Sequence, residues 1–520
     1  MSNVSYRKLA ISPPKTEKHG KCRFLSIPPK TLELLSAAAF HDIQFHLRKT
    51  HLDMLARILK DSSASANDRF VAAALIENAM ISAEGELPMC QDTGVANVIA
   101  FKGENVLTGL NDAASISRGI VKTWQTDNLR YSVMAPLTMT KEANTNDNLP
   151  AQIDIYSAKG DEYRFLFIAK GGGSSNRTSL YQESPGILEE KRLADFLADK
   201  LRKIGVAACP PYHLAVVIGG LSPEMTLKTV KLASAGYLDD LPGKGTTGGA
   251  AFRDKKWEKI ICKLAEDSGL GAQFGGKHFA LEARVIRLPR HAASCPIGIG
   301  VSCSADRNIK AKITAKGVFL EKLEKDLSAY LPLLRRCPEE LTRKIDLDQP
   351  MQSVCKQLSE CSPGARVSLN GTLIVARDLA HARLHARLMA GKGLPEYMKK
   401  HPVFYAGPAK TPKAMASGSF GPTTALRMDM YSRDFMKNGA SLITLAKGQR
   451  SKSFAETCSK YGGFYLGTIG GAAALVAQKN ITSSEIIDFE DLEMEAVRKI
   501  VVKDLPAFLI CNNKGKSLYD

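Results

Sequence analysis

The sequence lacks the features of several large protein classes. No apolar run approaches the length of about 18 residues that a membrane-spanning helix requires. The longest apolar runs, HLAVVIGG and FLFIAKGGG, are typical of buried strands. The start of the chain shows no secretory apolar segment. We therefore expect a protein that neither crosses a membrane nor enters the secretory route.

Closely spaced cysteines are also missing. The 11 cysteines are scattered, and they form neither a CxxC pair nor a compact disulfide framework. This usage predicts free or metal-bound thiols in a reducing compartment, and we predict a cytoplasmic location. Residues 1–30 hold seven basic residues and one acid, Glu17, which predicts a flexible arm and leaves a mitochondrial address open.

Acidic residues are fewer than basic ones, 53 against 71, which gives a net charge of +18. Basic stripes interleaved with aromatic residues are absent, and so is the spacing of a zinc finger. The phosphate-binding pattern GxxxxGK[ST] and the dinucleotide fingerprint are absent as well. This balance first indicates an ordinary soluble protein with a basic surface; small anionic ligands are the next interpretation, and nucleic acid is not an expected partner.

Helix-like and strand-like patterns alternate along the chain. They predict a mixed α/β fold of two α/β domains joined by a helical linker, with the active site between the domains. The N-terminal domain is predicted over residues 1–320 and the C-terminal domain over 344–520. The linker, residues 321–343, belongs to a charged stretch, KGVFLEKLEKDLSAYLPLLRRCPEE, that is predicted to be helical.

Glycine-rich turns and cysteines in rigid loops mark the candidate site. Four such turns are KGGGSSN, IGIGVSCSADRN, SGSFGPTT and GTIGG, whose backbone amides can gather around one anion. Cys90, Cys209, Cys295 and Cys303 lie near prolines or among small residues. Well-separated thiols suit a bulky cluster better than zinc, but spacing alone does not choose among these four.

Seven motifs, in order, resemble the class I fumarate hydratases, the oxygen-sensitive iron–sulfur fumarases. They are MCQDTG, ACPPYH, PRHAASCPIGIGVSCSADRNIKAKI, YAGPAKTP, GSFGPTTALRMD, LAKGQRS and GGFYLGTIGG, and the likeness begins near residue 30. The resemblance implies a homodimeric hydro-lyase with a four-iron–four-sulfur cluster. It would interconvert (S)-malate and fumarate plus water.

The resemblance also implies the residues of the site. Its cluster ligands correspond to Cys90, Cys209 and Cys303, which makes Cys295 a neighbour that is not a ligand, within an N-terminal cluster-binding domain. The residues that it places at the substrate are Gln91, Arg130, Gly173, His291, Arg377, Arg427 and Lys447.

The implied base and acid are Thr423 and Asp92, and the preference for Thr423 over Thr424 follows from the motif alone. Fumarate and malate are dianions, and arginine pairs with carboxylates through two parallel hydrogen bonds. Threonine is a weak base, so Thr423 would need nearby cations to stabilise its alkoxide. Asp92, two residues after Cys90, is suited to pass a proton to or from a departing hydroxyl.

Two other functions fit the same sequence. A related four-iron–four-sulfur hydro-lyase would act on tartrate or mesaconate and would differ only in its pocket residues. An iron–sulfur sensor or RNA-binding protein would have lost catalysis. The retained arginine, histidine and lysine positions favour the enzyme.

Overall fold

A computed structural model describes residues 4–20, 22–109, 111–335 and 342–519. Helices and strands alternate throughout, so the predicted α/β fold is confirmed. The helices are α1 (Pro29–Phe45), α2 (Lys49–Lys60), α3 (Ala66–Ser82), α4 (Asp112–Thr126), α5 (Gly172–Ser175), α6 (Glu190–Ile204), α7 (Pro223–Ser234), α8 (Lys255–Asp267), α9 (Leu331–Leu334), α10 (Met351–Ser359), α11 (Asp378–Met389), α12 (Tyr397–Lys400), α13 (Asp429–Lys437), α14 (Lys452–Tyr461) and α15 (Ala473–Lys479). None of these described helices combines the length and the apolar character that a bilayer span demands.

The strands fall into three main sheets. Those of the two N-terminal sheets and their small satellites are β1 (Tyr6–Lys8), β2 (Lys15–His19), β3 (Cys22–Ser26), β4 (Val95–Gly103), β5 (Val106–Leu107), β6 (Met134–Pro136), β7 (Glu142–Asn144), β8 (Gln152–Ala158), β9 (Tyr163–Lys170), β10 (Ser179–Glu183), β11 (Tyr212–Gly220), β12 (Phe252–Arg253), β13 (Ala280–Arg290), β14 (Cys295–Ser302), β15 (Asn308–Thr314) and β16 (Gly317–Glu321). Those of the C-terminal part are β17 (Arg343–Asp346), β18 (Arg366–Val375), β19 (Val403–Phe404), β20 (Ala406–Pro408), β21 (Phe420–Pro422), β22 (Ile443–Ala446), β23 (Phe464–Gly467), β24 (Ile481–Asp488) and β25 (Val497–Cys511).

The first sheet has the strand order β1-β16-β15-β9-β4-β8 and packs against α1 and α4. Aromatic residues fill this interface, and the ring of Phe40 lies 5.5 Å from Trp124 and 5.6 Å from Phe167, measured between centroids. Because these side chains are buried on both partners, the sheet and its two helices form one apolar layer.

The second sheet has the order β10-β14-β11-β13-β12, and helices cover both of its faces. α6 and α8 pack on one face, and α7 packs on the other. β11 is therefore buried along its whole length, which explains why its sequence, YHLAVVIGG, is almost continuously apolar.

The third sheet belongs to the C-terminal part and has the order β17-β18-β19-β22-β23-β25-β24. The strands from β17 to β23 in this order are parallel, and the long β25 runs antiparallel to β18, β23 and β24. α2 and α3, from the N-terminal part, share the apolar core of this sheet. For example, Phe508 in β25 stacks on Phe274 with 3.9 Å between ring centroids.

Two sequence expectations differ from the structure. Residues 1–30 contain β1, β2 and β3 and the start of α1, rather than only an arm, because β1 pairs with the distant β16 and Leu25 and Ile27 are buried. In the linker 321–343 the described helical turns are short, Ser328–Tyr330 and α9, and β16 precedes them. Residues 336–341 of the linker lie outside the described residues. The domain boundaries themselves stay a prediction.

Candidate active site

Three loops carry the cysteines that the resemblance assigns to a cofactor. Cys90 lies between α3 and β4, Cys209 lies between α6 and β11, and Cys303 directly follows β14. All three thiols are free; Cys90 and Cys209 are buried, and Cys303 is partly buried. Cys295, at the opposite end of β14, is buried in the core of the second sheet.

Hydrogen bonds join the second and third loops to a segment that follows β23. The backbone N–H of Ser304 donates to the carbonyl of Cys209 at 3.0 Å. The buried side-chain amide of Gln273 donates to the carbonyl oxygens of Pro210, at 2.9 Å, and Gly470, at 3.0 Å. The loops of Cys209 and Cys303 are thus fixed against residue 470.

The first loop is bound to the same segment. The side-chain amide of Asn78, in α3, donates to the carbonyl of Met89 at 3.0 Å and to the carbonyl of Gly471 at 3.2 Å. The N–H of Ala473 also donates to the carbonyl of Met89, at 3.3 Å. All three cysteine loops therefore converge on residues 470–473.

Glycine at position 470 leaves space for the Cys209 sulfur. A Cβ atom on Gly470 would lie 2.2 Å from Cys209 Sγ, far inside van der Waals contact. The Lys447 ammonium donates to the same sulfur at 2.9 Å. The Cys209 sulfur therefore contacts the Lys447 ammonium on one side, and on another side it lies against the backbone of Gly470, which has no side chain.

The electrostatics of the three thiols fit a cationic cofactor. Burial raises the pKa of the Cys209 thiol to about 11, a rise that Lys447 opposes and that the charges of Cys303 and Cys90 reinforce. Burial likewise raises the pKa of Cys90, while Arg307 opposes the rise. The charges of these sulfurs act on one another, so three thiolates here would repel one another unless a metal centre bound them, and soft thiolate ligands select metals such as iron in clusters. These residues could hold a cluster.

A cavity of about 760 Å³ lies beside the cysteines. Of the residues predicted at the substrate, those that line it are Gln91, Asp92, Arg130, Gly173, Arg377, Thr423, Arg427 and Lys447. Both halves of the chain contribute to this lining, as expected for a site between two domains. Thr424 lines the cavity as well, so the lining does not distinguish it from Thr423.

Each predicted substrate-binding cation already faces an anion or a sulfur of the protein. Arg377 Nη2 lies 2.6 Å from Glu495 Oε1, and Arg130 Nη2 lies 3.4 Å from Asp92 Oδ1. The pairs that complete this set are Arg427 with Asp378 at 3.0 Å and Lys447 with Cys209.

The arginines nevertheless keep donors that no described residue satisfies. Arg130 Nη1 and Arg377 Nε are both buried without a hydrogen-bond partner. Burial lowers the pKa of Arg377 to about 10; Glu495 opposes this change, and the charges of Arg130 and Arg427 add to it. Crowded cations with unused donors are suited to bind an anion.

Asp92 is held as a carboxylate. Burial raises its pKa, but the charges of Arg130 and Arg307 outweigh this effect, and the pKa of Asp92 lies below its ordinary value. Its Oδ2 accepts a hydrogen bond from the N–H of Gly172 at 2.8 Å. An ionised Asp92 can therefore accept a proton inside the cavity.

Thr423 lies at the end of β21, and its hydroxyl is buried. The hydroxyl donates to the carbonyl of Tyr405 at 3.1 Å, and the N–H of Lys447 donates to the carbonyl of Thr423 at 3.0 Å. Nearby, the side-chain amide of Gln91 donates to the carbonyl of Pro422 at 3.1 Å, which joins the Cys90 loop to β21.

Among the residues predicted to bind substrate or to transfer protons, His291 is the one that does not line this cavity. It lies exposed in the turn between β13 and β14, where its Nδ1 accepts the N–H of Ala293 at 3.1 Å. Cys303 follows the far end of β14, and the seven steps of that strand span about 23 Å at 3.3 Å per residue. Within one chain, His291 is too remote to touch a substrate beside Cys303.

A second polar cluster was not predicted from the sequence. Ligand atoms of His51, His213 and Asp306 lie within 4.8 Å of one another and form a possible metal site. His51 Nδ1 and His213 Nε2 are only 2.8 Å apart, a hydrogen-bond distance, and Ser302 and Asn308 donate to Asp306. Because these bonds already use most of the ligand atoms, the cluster is better suited to fixing the loop after Cys303.

Other residues of the site were also missed. Glu495 and Asp378 pair with the predicted arginines, Arg307 approaches Asp92, and Lys170 lines the cavity. Arg307 lies in the glycine-rich stretch IGIGVSCSADRN, and this position could have identified it. Glu495 gives no local signal, since its partner Arg377 lies 118 positions earlier in the chain.

Comparison with known proteins matches both parts of the chain. The family model described as fumarate hydratase (Fumerase) matches residues 34–312, and the model described as fumarase C-terminus matches residues 317–520. The change from one model to the other falls between β15 and β16, near the predicted linker.

Three relatives extend this likeness over nearly the whole chain. The chain is 54% identical to the aerobic class I fumarate hydratase of Escherichia coli K12, over 95% of this chain and 90% of that protein. It is 53% identical to fumarate hydratase 2 of Leishmania major, over 95% of this chain and 87% of that protein. It is 51% identical to fumarate hydratase 1, mitochondrial, of the same organism, over 96% and 92% of the two chains.

Proposed function

The chain belongs to the class I fumarate hydratase family, and on that premise we propose how its residues carry out the reaction. The enzyme is a lyase that interconverts malate and fumarate plus water, and it depends on iron. The names of its relatives favour this substrate over tartrate or mesaconate. The cofactor type, the residue roles and the oligomeric state are the proposal.

The proposed cofactor is a four-iron–four-sulfur cluster bound by Cys90, Cys209 and Cys303. The observation that carries this assignment is the convergence of three separate loops, each with one free thiol, on residues 470–473. When bound, a cluster with three protein ligands supplies one iron with an open position, which acts as a Lewis acid. Cys295 is excluded because it lies at the other end of β14.

The arginines and Lys447 bind and orient the dicarboxylate. Arg130 and Arg377 offer buried donors that are otherwise unused, and Arg427 and Lys447 add positive charge around the same cavity. A substrate held at both ends presents its reacting carbon atoms in one orientation. Gln91 and the backbone at Gly173 complete the polar lining.

Asp92 and Thr423 move the protons. Asp92, ionised because of Arg130 and Arg307, accepts a proton from water in the hydration direction and returns it to the departing hydroxyl in the reverse direction. In the hydration direction the Thr423 hydroxyl, which donates to the carbonyl of Tyr405 while the cavity is empty, would give its proton to carbon, and in the reverse direction the resulting alkoxide takes that proton back. The backbone N–H of Lys447 donates to the carbonyl of Thr423, and the Lys447 ammonium, which lies on the Cys209 sulfur, is proposed to supply the charge that a threonine alkoxide requires.

The active enzyme is proposed to be a homodimer in which His291 acts on the cavity of the partner chain. The support is geometric, because His291 is exposed and lies remote from the cavity of its own chain. A two-fold dimer can bring such a turn to the other active site. The compartment stays a prediction, and one relative is named as mitochondrial.

Replacing Cys90 tests the cofactor assignment. After anaerobic reconstitution, we expect Cys90→Ser to lose both the visible cluster absorbance and fumarate hydration, since the loop loses its sulfur ligand. Cys295→Ser is the matched control and should keep both, because Cys295 is a core residue far from the site. A colourless Cys90→Ser protein with full activity would refute the assignment.

A further inference from the structure

A short acidic segment forms part of the cavity wall. Residues Glu490–Glu495 form 3-10 turns interrupted by a kink at Glu493, and the last four of these residues line the cavity. Phe489 and Glu493 have φ angles of 53° and 50°, in the left-handed region that costs energy for residues other than glycine. The surrounding contacts therefore hold this segment in place, and the contact of Glu495 is the most buried of them.

Glu495 reaches across the cavity wall to Arg377. Its Oε1 lies 2.6 Å from Arg377 Nη2, and its Oε2 accepts the backbone N–H of Leu379, in the first turn of α11, at 3.4 Å. The side chains of Arg377 and Glu495 are only 12% and 18% exposed. The ion pair is thus mostly removed from water, where loss of one partner would leave the other charge buried and uncompensated.

The geometry of the guanidinium limits where a second carboxylate can bind. A carboxylate that binds an arginine through two parallel hydrogen bonds uses Nη2 with either Nη1 or Nε. On the Nη1 side, a Cβ atom on Gly407 would lie 3.1 Å from Arg377 Nη1, so backbone already packs there. Arg377 Nε is buried without a partner. The pair of donors that remains for a substrate carboxylate is Nε with Nη2, and Nη2 already contacts Glu495.

We propose that Glu495 occupies the place of a substrate carboxylate on Arg377, so that substrate binding exchanges one carboxylate for another. This proposal rests on the proposed role of Arg377 in binding substrate. Glu495 acts through Arg377 and is therefore a positioning residue. It keeps the buried guanidinium neutralised and oriented while the cavity is empty, and it weakens substrate binding by competing for the same donors.

The exchange also sets how fast the product leaves. Malate and fumarate both leave as dianions, and a returning Glu495 carboxylate can take over Arg377 as either one departs. In either direction the product must leave before the next turnover. Tighter binding of the dianion alone would not raise the rate of the chemical step, so faster release does not oppose catalysis.

The test uses reconstituted enzyme carrying Glu495→Gln, with Glu490→Gln as the control. Glu490 lies in the same segment but is exposed and does not line the cavity. We expect Glu495→Gln to lower KM for fumarate and for malate about tenfold, while kcat does not rise. Acetate, used as a small competitive inhibitor, should bind about tenfold more tightly, because a vacant carboxylate position has opened. Glu490→Gln should keep the wild-type values.

Glu495→Asp separates direct contact from general charge. It keeps the negative charge but is one methylene shorter, so a 2.6 Å contact with Arg377 is lost; KM should fall as with Gln. An unchanged or higher KM in Glu495→Gln, or an equal fall in Glu490→Gln, would overturn the exchange. An iron content equal to that of the wild type shows that the variants carry the cofactor. An equal circular dichroism spectrum shows that they are folded.

Arg377→Lys distinguishes the two proposals. If it leaves KM unchanged, the assignment of Arg377 to the substrate is wrong, and the proposed function must be revised at that residue. If Arg377→Lys raises KM while Glu495→Gln has no effect, Arg377 binds substrate and only the exchange is wrong.

Discussion

At the scale of single residues, the site depends on a position without a side chain. Gly470 leaves the space in which the Cys209 sulfur lies, and its carbonyl accepts a hydrogen bond from Gln273. A methyl group there would meet both Cys209 Sγ, at 2.2 Å, and Lys447 Cδ, at 3.1 Å. Neither atom can move without disturbing a proposed ligand or a substrate contact.

We therefore expect Gly470→Ala to lower bound iron and hydratase activity together. Overpacking of this kind costs about 1–3 kcal/mol, and here the cost falls on the Cys209 loop. Iron per chain, measured by a colorimetric assay after reconstitution, and the rate of fumarate formation are the readouts. Gly243→Ala is the control, because nothing lies within 4 Å of its added methyl group. Full iron content with activity within about twofold of the wild type would contradict the argument.

Residue identities could be predicted where they lie inside short motifs. Cys90, Gln91 and Asp92 stand together in MCQDTG, and the structure brings Gln91 and Asp92 to one cavity. Glu495 could not be predicted, because an ion pair between distant positions leaves no local pattern. The remoteness of His291 was equally hidden, since its motif is continuous with that of Cys303 while the strand between them separates the two in space.

At the scale of elements, the loop that carries Lys447 is fixed by the starts of α13 and α14. Asp429, the first residue of α13, accepts from Arg450 Nε at 2.5 Å and from the N–H of Ser451 at 2.8 Å. Ser451 in turn caps α14 by accepting the N–H of Phe454. The Arg450 side chain is 3% exposed, so this pair is a buried one.

Asp429→Asn should destabilise the protein by about 3–5 kcal/mol, because it leaves the Arg450 charge buried without its anion. Urea unfolding followed by circular dichroism measures the change. Asp434→Asn is the matched control: it lies in the same helix and pairs with the partly buried His385, but its own side chain is 43% exposed, and an ion pair of this kind contributes about 1 kcal/mol or less. Equal unfolding midpoints for the two variants would show that the Arg450 pair does not hold these helices.

Helices and strands could be predicted from the sequence where their apolar pattern was strong. β11 was expected as a buried strand and is one, because helices cover both of its faces. β1 was missed because its partner, β16, lies more than 300 positions away, and the polar sequence YRK shows no sign of pairing. The linker was expected to be helical, yet in its described residues the helical turns are short, Ser328–Tyr330 and α9.

At the scale of the whole molecule, the two halves share one core and one cavity. Phe508 stacks on Phe274, and its ring centroid lies 5.9 Å from that of Phe70, so β25 contacts α3 and the turn before β13 in the N-terminal part. α3 and α15 also pack against each other across the halves. The relative position of the two halves, and with it the shape of the cavity, depends on this shared apolar contact.

The proposed homodimer predicts that two inactive variants can restore each other. His291→Asn and Arg427→Ala should each be inactive alone, because each homodimer lacks one residue in both sites. Refolded together, random pairing gives half mixed dimers with one intact site each, or about a quarter of wild-type activity. Activity is measured after mixing under anaerobic reconstitution.

Arg377→Ala mixed with Arg427→Ala is the control, since both residues belong to the cavity of their own chain and no site is restored. Full activity of His291→Asn alone, or no recovery in the first mixture, would remove His291 from the partner's site.

The convergence of three loops on residues 470–473 has a consequence for biosynthesis. Cys90, Cys209 and Cys303 are all translated well before the backbone at residues 470–473 that closes around them. On the proposed assignment, a nascent chain would carry its three sulfur ligands without their final enclosure, and metal loading would be a late maturation step that waits for the C-terminal strands to dock.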